Sequence, residues 1–289
     1  MSILKSVEAV PTRMRDIFNF VATSPQLSNK ETLRSLFMPE NSRSGGTLVL
    51  DVPLRECLKL GLLEGDGDFR VSNFAAQIKE NDFESLVYEV LFNMESAKKL
   101  EQVEFLHSLA WLMTFDPGEP VNFSHEIAGK LDKSLGKNVG LTDLAGGKET
   151  YANLLYWAVF LGFGEFYGAS SEGRSSRLFM VNPTNIIRSK IQAIFAENDR
   201  LVITDFIDLV GNIIPVLDRG EAREAIERNL DKNYRIPENH ISKALSLALK
   251  QLDHEKLIKL ERHSDAESMS LDFGGMGQKE SVSGVLLRQ

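Results

Sequence analysis

Residues 55–72 read RECLKLGLLEGDGDFRVS. An apolar helical stripe runs into Leu60-Gly61-Leu62-Leu63-Glu64, breaks at Gly65-Asp66-Gly67 and resumes as an alternating segment. Apolar residues three and four apart line one side of a helix, whereas alternation lines one face of a strand. The stretch therefore predicts a helix that ends at Gly61 in the left-handed conformation glycine accepts most readily. A two-stranded hairpin follows, with strands at 62–64 and 69–72 and a tight turn at Asp66-Gly67-Asp68.

Upstream, Met14, Ile17, Phe18 and Val21 after Pro11 predict a first helix stopped by Thr23-Ser24-Pro25. Ser28 or Asn29 then caps a short second helix with Leu33, Leu36 and Phe37 on its stripe, ending near Pro39. A loop at 40–46 leads to the third helix, 47–60, which carries Leu50, Leu54, Cys57, Leu58 and Leu60 and is interrupted early by Pro53 or starts near it. Three helices and a hairpin make the winged-helix plan. The same grammar returns at 155–182, with Leu161-Gly162-Phe163 as the corner and strands at 165–167 and 178–181. It returns again at 248–273, with Asp253 and His254 at the corner and strands at 257–262 and 268–271 around a turn at 263–267. The expected architecture is mainly α with short β-hairpin wings: module one at 1–80, an acidic connecting helix at 81–104, module two at 105–190, module three at 191–273 and a flexible tail at 274–289.

Between the hairpins, 105–115 reads as an apolar helix stopped by Asp116-Pro117-Gly118. Residues 124–135 read as an amphipathic helix with Ser124 and Glu126 near its start, and 141–144 as a short middle helix. Helices at 201–217 and 221–230 are separated by Asp218-Arg219-Gly220. The segment 83–103, with Glu84, Glu89, Glu95 and Glu101, reads as a solvated connecting helix rather than an acidic partner-binding face. Within the tail, Val285-Leu286-Leu287 reads as a frayed end rather than a docking peptide.

The chain has 289 residues, 43% hydrophobic and 26% charged. These values are typical of globular domains. No apolar run reaches the roughly 20 residues that span a bilayer, and the N-terminus carries no secretory pattern, so a cytoplasmic protein without membrane contact is expected. Cys57 is the single cysteine. That excludes an internal disulfide and cysteine-rich zinc sites. The net charge of −8 is unevenly spread: balanced over 1–75, acidic over 76–120, slightly basic over 121–190 and acidic again beyond. Such a chain is poorly suited to coating nucleic acid, whose binding depends on Lys and Arg displacing counterions.

The spacing of candidate catalytic residues matches no common motif. The stretch 143–150, DLAGGKET, lacks the glycine a phosphate loop needs five positions before Gly147, where Thr142 stands, and Glu149 replaces the magnesium-holding hydroxyl. His125-Glu126 is followed by Gly129 where a zinc-protease helix needs histidine. No serine-hydrolase elbow or dinucleotide glycine motif is present. His107 lies on an apolar helix and reads as a core histidine. A chain without catalytic activity, cofactor or metal is expected.

Winged helices meet DNA through the third helix and the wing. In module one, Arg43, Arg55, Lys59 and Arg70 are offset by Asp51, Glu56, Asp66 and Asp68. In module two the third helix is apolar almost all round, which suits burial, while its wing carries Arg174 and Arg177. Module three has the strongest strip: Lys232, Tyr234 and Arg235 precede His240 and Lys243, with His240 at the start of the recognition helix. The candidate DNA-binding residues are therefore Lys232, Tyr234, Arg235, His240, Lys243, Arg174 and Arg177.

The opening MSILKSVEAVPTRMRDIFNFVATSPQ, the Leu60–Glu64 element and FLHSLAWLMTFDPGEP at 105–120 resemble the DpdG-like family. That family is encoded in bacterial islands that insert 7-deazaguanine derivatives into DNA and restrict unmodified DNA. The resemblance carries no catalytic residue to any position here. It implies a non-enzymatic, DNA-associated adaptor working with protein partners of a restriction system in phage defence, with double-stranded DNA as the expected nucleic acid. A winged-helix transcriptional regulator stands as an alternative, as does a protein-binding scaffold resembling the tandem winged-helix subunits of SMC-type complexes.

Overall fold

The computed structural model describes residues 2–38, 46–78, 82–122, 127–135, 141, 144, 147–168, 170–171, 174–175, 177–273 and 280–288. The chain is mainly α-helical with short strands, as the periodicities implied. It divides into two compact units, one of residues 1–105 with 149–160 and one of 106–148 with 161–289. Residues 40–45 of the expected loop, the helix start at 124–126 and residues 142–143 of the expected middle helix lie outside the described residues.

The first unit opens with α1 (Pro11–Thr23), α2 (Lys30–Phe37) and α3 (Gly46–Lys59). Asn29 caps α2 by accepting the Thr32 N–H at 2.8 Å, which satisfies one of the donors every helix start leaves unpaired. Pro53 lies inside α3 and does not interrupt it. Leu50, Val52, Leu54 and Cys57 are all buried along that helix, and their packing outweighs the roughly 3 kcal/mol an interior proline costs. At its end Gly61 has φ 69°, and the N–H groups of Gly61 and Leu62 donate to the carbonyls of Leu58 (3.0 Å) and Cys57 (2.9 Å). This paired-bond cap turns the chain into β1 (Leu63–Glu64), which pairs antiparallel with β2 (Arg70–Val71). Ser72 then donates to the Gly61 carbonyl and caps α4 (Asn73–Gln77).

The segment 83–103 is not one solvated connecting helix. It forms α5 (Phe83–Phe92), α6 (Met94–Lys99) and the start of α7 (Val103–Leu112). Phe83, Leu86, Val87, Val90 and Leu91 are buried, so α5 is a core helix with its carboxylates at the margin. After α8 (Ile127–Ser134), which belongs to the second unit, α9 (Lys148–Phe160) completes the first. The apolar character read from α9 is realised as burial: Trp157 packs edge-on to Phe105 at 6.2 Å, and Phe160 to Phe83 at 5.8 Å. Asn153, 1% exposed, donates to the carbonyls of Ile3 (3.0 Å) and Leu4 (3.3 Å), fixing the N-terminal segment against α9.

In the second unit β3 (Val121–Asn122) pairs with β7 (Leu178–Val181), which also pairs with β4 (Gly164–Tyr167). Between β4 and β7 in the chain, β5 (Ser170–Ser171) and β6 (Arg174–Ser175) pair antiparallel as a separate two-stranded sheet. The corner before β4 is Gly162, φ 82°, where an added Cβ would stand 3.0 Å from the Ile186 nitrogen. α10 (Thr184–Ile194) follows, and then 201–217 departs from expectation: Arg200–Val202 is a strand, β8, and α11 (Ile203–Ile213) begins only after it. α12 (Glu221–Glu227) leads through an exposed loop to β9 (His240–Ile241) and α13 (Lys243–His254). His240 thus sits on a strand and not at a helix start, because Ser242 is the capping residue.

The third corner falls at Lys256, φ 61°, two residues beyond His254, with the same paired bonds: Lys256 to Asp253 and Leu257 to Leu252, both 3.0 Å. Here β10 (Ile258–Glu261) does not pair with β11 (Met269–Leu271), so the expected third hairpin is not formed. The segment read as a flexible tail supplies β12 (Glu280–Val282) and β13 (Gly284–Leu287) instead. β13 lies between β10 and β8, and β11 lies between β12 and β9. Val282 and Val285 are 1% and 0% exposed, which accounts for the ordering: their burial rewards a pairing that local sequence does not announce.

The three corners predict a graded series in urea unfolding. Gly61→Ala costs about 1 kcal/mol, from backbone conformation alone, since nothing lies within 4 Å of the new Cβ. Gly162→Ala costs about 2 kcal/mol or more, because that Cβ also crowds α10. Lys256→Gly stabilises by about 0.5 kcal/mol by relieving a left-handed non-glycine. Equal destabilisation by the two alanine variants would contradict the close approach at Gly162.

Candidate nucleic-acid interface

The site is built around the start of α13. The Ser242 hydroxyl accepts the Leu245 N–H at 3.3 Å, and the Ser242 N–H donates to the buried Asp218 carboxylate at 2.8 Å. Asp218 belongs to the break before α12, where Arg219 has φ 62°, so that break holds the start of α13. Lys243, the first residue of α13, reaches Asp116 with Nζ 2.6 Å from Oδ2. The other Asp116 oxygen accepts the Gly118 N–H at 2.8 Å, locking the corner that ends α7. The hydrogen bond to Asp116 raises the Lys243 pKa above the usual lysine value against a partial opposing effect of burial.

The loop after α12 is pinned at both ends. Asp231 donates its N–H to the Ser134 carbonyl at 2.9 Å and caps the 3₁₀ turn Lys232–Tyr234. Arg235 donates from Nε to the Leu230 carbonyl at 2.8 Å. Beneath it, Arg223 is 1% exposed and pairs with Glu227 at 2.7 Å. Lys130 of α8 stands 5.1 Å from the centroid of the Phe115 ring. Together these groups line a cleft of about 420 Å³ bounded by Asp116, Lys130, Arg223, Tyr234, Arg235 and Lys243.

Of the residues chosen from sequence, Tyr234, Arg235 and Lys243 meet at this cleft. Lys232 is exposed on the same 3₁₀ turn, outside the lining. His240 turns Nδ1 toward the Glu238 carbonyl at 2.8 Å. Arg174 lies on β6, and Arg177, just before β7, is outside the lining. Sequence reading missed Lys130, Arg223 and Asp116: Asp116 read only as a helix stop, and nothing in EAREAIE marks one arginine as buried. In the first unit Arg70 pairs with Glu64 at 2.7 Å and Arg55 with Glu56 at 3.6 Å, which realises the near-neutral wing and third helix read there.

Among the described residues no group of three or more His, Cys, Asp or Glu is placed to hold a metal ion. Cys57 is fully buried, and burial, with Glu56 adding to it, pushes its thiol pKa up, away from reactive thiolate. No helix among the described residues is long and apolar enough to cross a membrane.

The family model described as DpdG-like matches residues 1–266. The chain belongs to the DpdG-like family, which associates it with 7-deazaguanine DNA-modification systems. No curated protein and no solved structure matches it. The matched span ends ahead of β11, β12 and β13.

His107 on α7 gives a pH prediction. Burial lowers its pKa below the ordinary histidine value, and Glu221 opposes this only in part. The folded chain therefore resists a proton that the unfolded chain takes up below about pH 6.5, so stability falls as pH drops through that value toward the lower folded pKa. The urea midpoint should fall between about pH 7.5 and 5.5, and His107→Gln should lessen the fall. Identical pH dependence in the two proteins would contradict the assignment.

Proposed function

We propose that the chain is a non-catalytic, DNA-associated adaptor subunit of a DNA-modification or restriction system acting in phage defence. The observation that carries the reading is the convergence of Tyr234, Arg235 and Lys243 on one edge of the second unit, with Lys232 exposed beside them. Family membership supplies the system; the convergence supplies a surface. Phosphate contact needs cations that are not already consumed, and Lys232 and Arg235 stand on an exposed loop. The chain meets duplex DNA there weakly and electrostatically, and engages protein partners of the system elsewhere. A protein-binding scaffold without DNA contact is the second reading. It is favoured by the pairing of Arg55, Arg70, Arg188 and Arg200 with carboxylates of this same chain.

The test is a titration of fluorescent double-stranded DNA at several salt concentrations. The reading expects binding that weakens steeply with salt. Changing Lys232 and Arg235 together to Ala should lower affinity and reduce the salt slope by about one for each phosphate no longer neutralised. Unchanged affinity and slope in a variant with intact helicity would exclude this surface, and absence of binding at low salt would favour the scaffold.

A further inference from the structure

The cleft beside α13 has a chemistry that duplex binding does not require. Its lining is mixed: Asp116, Glu119 and Asp272 gather around Lys243, and Lys130, Arg223 and Arg235 complete it. Two of the cations are held by carboxylates, Lys243 by Asp116 and Arg223 by Glu227. Among the described residues, no carboxylate lies within ion-pair distance of Lys130 or Arg235. A plain polyanion meets repulsion from the acidic wall, and a plain cation meets it from the basic one. The lining favours a ligand with an anionic group at one end and N–H donors at the other.

Shape narrows the class. A volume of about 420 Å³ falls in the range of roughly 300–1,000 Å³ typical of small organic ligands. A free amino acid would leave much of it unfilled. Tyr234, 41% exposed, lines the cleft together with Ile236 and Pro237, and its aromatic face can take a flat ring. Arg235 donates from Nε to the Leu230 carbonyl and from Nη2 to the Arg228 carbonyl at 3.4 Å, which holds the guanidinium in place and leaves its Nη1 donors for a phosphate oxygen.

We infer that this cleft binds a single nucleotide, with the base stacked on Tyr234, the phosphate met by Arg235 and Lys130, and base N–H donors turned toward the Asp116, Glu119 and Asp272 wall. The inference does not rest on duplex binding, since a nucleotide pocket can serve a scaffold equally well. The probes are the four deoxynucleoside monophosphates, titrated calorimetrically into the full chain with inorganic phosphate as comparator. At least one nucleotide should bind one to one and at least tenfold more tightly than phosphate. Tyr234→Ala should weaken it by about tenfold, as removal of one base–aromatic stack does. Tyr234 is exposed enough that its replacement leaves the fold intact, which circular dichroism checks. Binding of none of the four, phosphate binding as tight as nucleotide, or unchanged affinity in Tyr234→Ala would each overturn the inference. Failure of duplex titration alongside nucleotide binding would remove the DNA contact and leave this pocket standing.

Discussion

The strand Gly284–Leu287 is the constraint on which the second unit depends. It pairs along its length with β10, from Ile258↔Leu287 to Glu261↔Gly284, and on its other edge with β8, where Val285 faces Leu201. Without it the two outer strands have no partner, and a buried row of backbone donors and acceptors goes unsatisfied. The residue before it completes two further connections. Ser283 donates its N–H to the Glu261 carbonyl at 2.9 Å, and its own carbonyl accepts the Ile203 N–H at 3.0 Å. That second bond substitutes for a missing side-chain cap, because α11 begins after Val202, which has no polar group to offer. Glu280 then pairs with Lys250 at 2.8 Å, tying the same C-terminal segment to α13. Since α13 begins with Lys243, the sheet and the cleft are linked through one helix.

Electrostatics in this chain are largely local. Arg188 is matched by Glu255, Arg200 by Glu261 and Arg219 by Asp208. Each such pair is partly exposed and worth about 1 kcal/mol or less for stability. Their larger consequence is for binding, because a cation committed to a neighbouring carboxylate gains less from a phosphate. An acidic chain can still engage an anion where a loop carries cations past the reach of its own acids. The segment following α12 carries such a cation: Arg235 is anchored by the backbone carbonyls of Leu230 and Arg228 rather than by a carboxylate.

What the sequence revealed follows from which interactions are local. The corners at Gly61 and Gly162 were legible because glycine is the residue a left-handed helix end prefers, and the hairpins beside them pair residues close in the chain. The third corner was displaced in reading because Lys256 takes the same conformation without advertising it. The exchange of partners by β10 and β11 was not legible at all. A parallel match such as Leu271 to Ile241 joins segments far apart in sequence, and a sixteen-residue stretch opening with Gly-Gly and Gly-Gln looks like a tail until its valines are seen buried. At the cleft, Tyr234, Arg235 and Lys243 were legible as a charged and aromatic strip. Asp116 and Arg223 were not, since burial of an arginine and a hydrogen bond spanning 127 positions leave no local signature.

If the C-terminal strand is an integral part of the second unit, its backbone must be shielded as well as the strands it joins. Amide hydrogen exchange read by mass spectrometry on peptides covering 280–288, 258–261 and 243–254 decides this. The strand pairing predicts that 284–287 is protected to the same degree as 258–261 and gives up that protection together with α13 as denaturant is added. Exchange of 284–287 at the rate of an unstructured peptide, while α13 stays protected, would contradict it.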